Sequence, residues 1–272
     1  MSRLSASRPG VAVHREGTRS VVRSLPEEVP VAMVFDGTTR AVMMATPAEI
    51  ADFAYGFALS EGIIANPGEV AEFEAVTHAR GIEARFWLHE APGRDLRERQ
   101  RSMMGPTGCG LCGIDSLDQA LRPLPRLPEG GPSLTRAEVA RATDELRGHQ
   151  PLHDQTGAVH AAGFLLPGKG IVMAREDVGR HNALDKLIGA LARQDMDASE
   201  GAVVLTSRVS VDMVQKTVLA RCPILIAVSA PTALALSMAE DAHLTLAAFA
   251  RGGGFDLYAA PERIVDGASH VA

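Results

Sequence analysis

Apolar and polar positions change rhythm along this chain, and the changes mark its elements. From Pro30 to Ala45 they alternate: Val31 to Phe35 and Arg40 to Met44 flank Asp36-Gly37, a dipeptide that accepts the positive φ of a tight connection, so a β-hairpin is predicted. Thr46-Pro47-Ala48-Glu49 then reads as a helix start, with Thr46 as cap, Pro47 at the first helical position and Glu49 closing a reciprocal box. Ile50, Phe53, Ala54, Phe57 and Ala58 fall on one helical face, and Gly62 ends the run. A weaker hairpin joins Phe73 to Thr77 with Ala84 to Leu88, and Thr135 to Arg147 reads as a second capped helix.

The last hundred residues beat more regularly. Short apolar runs at Ala202 to Leu205, Ile224 to Val228 and Thr245 to Phe249 are separated by segments of helical length, a β-α-β-α-β pattern. Helical stripes at Ala183 to Leu191 and Val211 to Leu219 would cover such a sheet, while Asp185 and Lys186 read as helix-surface residues without chemistry. The fold class is therefore α/β, a layered and partly parallel mixed sheet with helices on both faces, plus a smaller N-terminal α+β portion. Residues 1–25, mixing Ser, Arg, Gly and Pro without periodicity, read as a flexible leader; 26–130 form the N-terminal portion and 131–272 the α/β portion, the two being compatible with one continuous domain.

Composition adds exclusions. The most apolar stretch, Pro223 to Ala239, is broken by Ser229, Pro231, Thr232 and Ser237 and falls short of the ~18–20 unbroken apolar residues of a membrane span. The first residues lack an apolar signal core, and three cysteines suit a reducing compartment, so a cytoplasmic protein is expected. A formal net charge of −6 argues against broad nucleic-acid binding, which leaves any anionic ligand to a local pocket.

The loudest chemistry lies in Gly105-Pro106-Thr107-Gly108-Cys109-Gly110-Leu111-Cys112-Gly113. Glycines let successive amides converge, which favours a thiolate, and a thiolate attacks sulfur far better than a thiol does. Structural zinc would need four ligands where one C-x-x-C supplies two. A thioredoxin-like pair would sit at a strand-to-helix junction early in a small fold. A sulfur relay accounts best for two thiols set among glycines, with Arg94, Arg97, Arg99 and Arg101 adding positive potential or forming a solvated face. Cys222, outside the motif, reads as a small buried hydrophobe.

Further candidates sit at the predicted strand ends. In open α/β sheets ligands bind beyond the carboxyl ends of the strands, which here read Thr206-Ser207-Arg208, Ser229-Ala230-Pro231-Thr232 and Phe249-Ala250-Arg251-Gly252-Gly253-Gly254. Arginine forks match phosphate oxygens, and glycines let backbone approach them. His181, in Asp177-Val178-Gly179-Arg180-His181-Asn182, precedes a helix whose N-terminus suits an anion; equally, Glu176, Asp177 and Arg180 are placed to form a local ion network. His160, on an apolar stretch, reads as a hydrogen-bonded core residue.

Thr107 to Gly113 resembles the C-x-x-C loop of the FdhD family of formate dehydrogenase accessory proteins. Pro30 to Ala45, Tyr55 to Ile64, Thr156 to Gly163, Arg175 to Ile188 and Ser207 to Lys216 match that family in order. The resemblance implies a sulfurtransferase of molybdenum cofactor biosynthesis in which Cys109 accepts sulfur from a cysteine desulfurase as a persulfide. Sulfur then passes to the bis-molybdopterin guanine dinucleotide cofactor of formate dehydrogenase, for which GDP or GTP is a partial mimic, with Cys112 shielding or resolving the persulfide. It also implies a cytidine deaminase-like fold, a homodimer, and cofactor contacts from Phe249, Ala250, Arg251, Gly252, Gly253 and Gly254, to which Ser207, Arg208 and Ser229 are added from the strand-end argument and His181 from its place before a helix N-terminus. Two rivals remain: a cofactor-binding chaperone without sulfur chemistry, and a zinc deaminase-like enzyme. Against the latter, the H-x-E of His14-Arg15-Glu16 lies in the leader, and Gly108, not proline, precedes Cys109.

Overall fold

The computed structural model describes residues 4–89 and 123–266. The first hairpin forms as the alternation predicts: β3 (Val29–Phe35) and β4 (Thr38–Ala45) flank Asp36 and Gly37, both at positive φ. With β5 (Val70–His78) and β6 (Gly81–Leu88) they build a four-stranded sheet in the order β4-β3-β6-β5. Phe35 and Phe86 stack across it, and its inner face is covered by α1 (Ile50–Ser60) through Phe53, Ala54, Phe57 and Ala58.

The second layer system is a six-stranded sheet, β13-β12-β11-β10-β8-β9. Its centre is the predicted parallel trio β10 (Ala202–Leu205), β11 (Ile224–Ala227) and β12 (Thr245–Arg251), flanked by antiparallel β13 (Gly254–Ala259) and the hairpin of β8 (His160–Leu166) and β9 (Gly170–Asp177). One face packs on α2 (Arg136–Arg147), whose capping box between Thr135 and Glu138 is complete. The other packs on α4 (Arg180–Arg193), α5 (Val211–Leu219) and α6 (Ala233–Asp241); short α3 (Pro151–Thr156) precedes β8. Helices on both faces of a mixed sheet are thus observed. Short β7 (Leu134–Thr135) and β14 (Ile264–Val265) pair in parallel, and beside them buried Arg263 donates its guanidinium to the carbonyls of Pro128 and Gly130 and to Thr245 Oγ1.

The two layer systems meet at α1 and α4, where the backbones touch. A Cβ at Gly56 would lie 1.7 Å from the Asp185 carbonyl oxygen, and one at Gly189 would lie 1.9 Å from that of Asp52. No side chain fits between the helices at this crossing, so glycine is required on both.

Three expectations need correction. Residues 1–25 are not without an element: β1 (Ser5–His14) and β2 (Gly17–Pro26) pair over ten residues each, with His14 at the mouth of the turn. The alternation went unread because neither face of this hairpin meets the core, so no apolar side stands out from the polar one. Thr46 does not cap α1, which starts from Glu49 in the left-handed region; instead Thr46 is buried, its amide donating to Asp177 Oδ2 and its Oγ1 accepting from the Val178 amide. Asp185 and Lys186 are not on a surface. Both are buried, because α4 is enclosed by the six-stranded sheet on one side and α1 on the other.

The crossing yields a test. Gly189→Ala adds the best helix former to α4, yet it is expected to destabilise the protein by at least about 2 kcal/mol in urea unfolding, because the methyl collides with backbone that cannot move aside. A stabilised variant would show that the helices do not touch there.

Candidate functional site

The parallel strands β10, β11 and β12 end on one edge, and the loops leaving them are laced together. Val209 donates to the Ala230 carbonyl at 3.1 Å, Thr232 donates to that of Val209 at 2.9 Å, and Phe249 donates to that of Ser229 at 3.4 Å. Ser207 is buried, with its hydroxyl on the Arg208 carbonyl, and the Arg208 side chain is exposed. Ser207, Arg208, Ser229 and Phe249 are therefore brought to one edge.

The glycine run follows the strand as read, although the strand itself runs two residues further than Phe249. β12 continues through Ala250 to Arg251, with Phe249 at φ 52° in an irregular stretch of the ladder, and Gly252-Gly253 make a two-residue hairpin turn at φ 62° and 79° before β13. The turn is a hairpin tip, and β13 follows it directly. Arg251 and Gly252 to Gly254 are exposed, whereas Ala250 is buried toward α2, its carbonyl accepting from Thr143 Oγ1 at 2.6 Å.

Beside this edge stand the start of β8 and the first turns of α4 and α5. His160 is half-buried, its Nδ1 3.4 Å from Thr206 Oγ1, while the same oxygen accepts from the Ala161 amide. Burial, with the positive charges of Arg180, His153 and His181, holds the His160 imidazole below its ordinary pKa of 6.5. His181 places Nε2 3.5 Å from Asp212 Oδ2, joining α4 to α5, but makes no hydrogen bond of good geometry. Burial alone would raise the Asp212 carboxyl; contact with His181, together with the Lys216 charge and a backbone hydrogen bond, more than offsets it and keeps the group low.

The anion seat at the start of α4 is already filled. Asp177 Oδ1 accepts from the Gly179 amide at 2.8 Å and from Asn182 Nδ2, and Oδ2 pairs with Lys186 Nζ at 2.8 Å. Glu176 meanwhile accepts from the Leu152 and His153 amides at the start of α3. Of the ion network foreseen among Glu176, Asp177 and Arg180, the described residues show only Asp177 ion-paired, and its cation is Lys186 instead of Arg180.

What the sequence reading missed is a chain of buried charges behind the edge. Lys216 of α5 lies 2.7 Å from Asp185 Oδ1 and 2.8 Å from Ser60 Oγ, and Ser60 also donates to Asp185. Asp52 of α1 binds Arg175 at 2.8 Å and pairs with Arg193. The signal was present in a lysine and an aspartate set within otherwise apolar helical stripes, but period alone does not reveal that a helix is covered on two sides.

Cys109 and Cys112, like the four arginines before them, lie outside the described residues. Cys222 is fully buried, its Sγ 3.4 Å from the carbonyls of Gly201 and Ile224, and burial pushes its thiol up to about 12.

The profile of the FdhD/NarQ family matches residues 26–265, which takes in the four-stranded sheet, the helix crossing and the strand-end edge. This chain belongs to the FdhD/NarQ family. A sulfur carrier protein FdhD from Agrobacterium fabrum is 48% identical over 252 residues, covering 92% of this chain and 93% of the relative, and one from Variovorax paradoxus is 52% identical over 237 residues, covering 87% and 85%. A crystal structure described as a formate dehydrogenase accessory protein from Desulfotalea psychrophila superposes with a TM-score of 0.77 at 25% identity, covering 97% of this chain and 100% of that one. The family profile begins at residue 26, so the β1–β2 hairpin precedes it.

Two measurements probe this site. Lys216→Met leaves Asp185 buried beside Ser60 alone and is expected to cost about 3–5 kcal/mol in urea unfolding; a cost below about 1 kcal/mol would place the carboxylate in contact with water. For His160 the folded pKa is the lower one, so its contribution to stability is complete above 6.5 and is lost as pH falls toward the folded value. His160→Asn is expected to show a shallower loss of stability than the parent on acidification below 6.5, and identical slopes would deny the histidine that role.

Proposed function

We propose that this chain is a sulfur carrier serving formate dehydrogenase, with sulfur held as a persulfide on Cys109. The observation that carries this reading is the partition of its three cysteines, within a family whose curated relatives are named sulfur carrier proteins. Cys222 is sealed in the core with its thiol at about 12, so on the order of 10⁻⁵ of it is thiolate at pH 7. The glycine-flanked pair Cys109 and Cys112 is the remaining place for sulfur chemistry.

In the loading step the Cys109 thiolate attacks the terminal sulfur of a persulfide on a cysteine desulfurase. A new S–S bond forms on Cys109, the old one breaks, and the donor cysteine leaves as thiolate, with no net oxidation. Release is balanced when the Cys112 thiolate attacks Cys109 Sγ: the outer sulfur departs as hydrosulfide, the two cysteines become a disulfide, and a dithiol reductant restores them. The acceptor in this reading is the molybdenum of the bis-molybdopterin guanine dinucleotide cofactor, treated as substrate. Its guanine dinucleotide would meet the strand-end edge. The exposed Arg251 and Arg208, the open amides of the Gly252-Gly253 tip and the hydroxyl of Ser229 are groups that suit phosphate oxygens, and His181 lies behind them. The protein acts in the cytoplasm, as a homodimer.

Incubation with a cysteine desulfurase and cysteine is expected to raise the intact mass by about one sulfur. Cys109→Ala should abolish the gain and Cys222→Ser should keep it; label persisting on Cys109→Ala would reject the assignment. A Cys109→Ser, Cys112→Ser double variant should fail to support formate dehydrogenase, and full support would make the protein a cofactor-binding chaperone. Arg251→Ala is expected to weaken GDP binding about tenfold, the loss of one charge-assisted phosphate contact, while persulfide loading stays intact. Unchanged GDP affinity would remove Arg251 from the nucleotide site.

A further inference from the structure

β9, β10, β11 and β12 all end on the strand-end edge, so α4, α5 and α6 all begin there. α4 begins on Asp177, and α6 is capped by Thr232 Oγ1, which accepts from the Ala235 amide at 3.2 Å. α5 begins at Ser210, whose side chain makes no capping hydrogen bond, and carries Asp212 in its first turn. Facing that carboxylate is His181 Nε2, a buried ring nitrogen without a hydrogen-bond partner, 3.5 Å from Oδ2. Ser210 Oγ also stands 3.5 Å from Oδ2, so histidine and serine both lie at the limit of hydrogen-bond reach.

A buried polar atom left unsatisfied is rare, and a contact that is long in the free protein commonly tightens when a ligand brings charge to it. As imidazolium, His181 donates from both nitrogens: Nε2–H to Asp212, and Nδ1–H to an acceptor across the ring. Nε2 is buried, so the 13% of the side chain that stays exposed lies away from Asp212. Burial opposes the charge on Asp212, and His181 is the first of the groups that restore it, which makes the two an electrostatic pair. The other charged groups around the ring do not replace that carboxylate. Arg180 of α4 and His160 of β8 carry no negative charge, Lys216 of α5 is held by Asp185, and Asp177 and Glu176 of β9 are spent on Lys186 and on the amides of α3.

We propose that Asp212 positions His181 as a proton-coupled phosphate ligand of the strand-end edge: the imidazolium, held through Nε2 by Asp212, presents Nδ1–H to a phosphate oxygen of a guanosine pyrophosphate diester. This rests on the reading of that edge as the nucleotide site and adds a proton to its binding. Arg208 and Arg251 keep their charge throughout the physiological range, whereas an imidazole changes charge between about pH 5 and 8. Where the ring is neutral in the free protein, binding takes up a proton from solvent, so affinity falls as pH rises and release returns the proton.

Isothermal titration of the full-length chain with GDP-mannose, a diester whose phosphates bind no proton between about pH 6 and 8, tests it. Parent affinity is expected to be about tenfold weaker at pH 8 than at pH 6; that of His181→Gln should be equal at the two and close to the parent's at pH 8. Asp212→Asn, which keeps the shape, should bring the loss in at lower pH than in the parent, because no carboxylate then holds the proton on the ring. His160→Asn should keep the parent's profile. A parent that binds equally at both pH values overturns the inference and leaves the nucleotide reading standing, as does a pH dependence that survives His181→Gln. An Asp212→Asn profile identical to the parent's overturns the positioning role. A parent that binds the diester at neither pH overturns the reading of the edge and this inference with it.

Discussion

The closest constraint in this molecule is the meeting of two backbones, at Gly56 of α1 and Gly189 of α4. Because the helices touch there, short side chains on either side can reach across, and three carboxylates do so in the interior. Asp52 on α1 binds Arg175 and Arg193, Asp177 at the end of β9 binds Lys186 and the Thr46 amide, and Asp185 on α4 binds Ser60 and Lys216. Each cluster joins a residue of the first ninety to residues of the six-stranded half. Buried ion pairs add little net stability, since desolvation offsets their attraction, but a misplaced one is costly. Sliding α1 by one turn along α4 would part Asp52 from Arg175 and Arg193, Asp177 from the Thr46 amide and Asp185 from Ser60, so the clusters fix the register that the glycines permit.

That register reaches the strand-end edge. The first turn of α4 carries His181 and that of α5 carries Asp212, and the contact between them closes the edge on one side. Asp185 and Lys216 lie further along the same two helices, so the spacing of α4 and α5 is set in the interior as well as at the edge. The residues that open the edge to solvent, Arg208 on the loop after β10 and Arg251 at the end of β12, have exposed side chains. A buried interior thus presents an exposed rim of side chains, the usual division between scaffold and site.

The fold was legible wherever one face of an element meets the core. The Asp36-Gly37 hairpin, the parallel trio and α2 with its capping box follow from period and turn chemistry, and the structure places them as read. It was illegible where burial departs from that rule. The β1–β2 hairpin has no buried face over most of its length, so its valines did not stand out; α4 is buried on both sides, so Asp185 and Lys186 looked like solvent residues. Thr46 and Pro47 had the composition of a helix start, but a pull from Asp177, 131 residues away in sequence, claims the Thr46 amide first. Of the candidate site, the convergence of Ser207, Arg208, Ser229 and Phe249 was legible from strand order. The hairpin nature of Gly252-Gly253 was not, since a glycine pair after a strand is equally consistent with a turn into a helix.

Net charge misleads when it is read as a local quantity. The chain carries −6 overall, yet His160 sits where burial and the neighbouring Arg180 charge together push its proton off. The acidic groups nearest them are already engaged: Glu176 on the amides of α3, Asp177 on Lys186 and the start of α4, and Asp212 on His181. With its carboxylates engaged as structural anions, this corner of the sheet leaves the exposed Arg208 and Arg251 to meet an incoming anion, so the local charge need not follow the sign of the molecule as a whole. Selection by such a corner depends on close approach within about a Debye length, which suits a ligand delivered in a protein complex better than one captured from bulk solution.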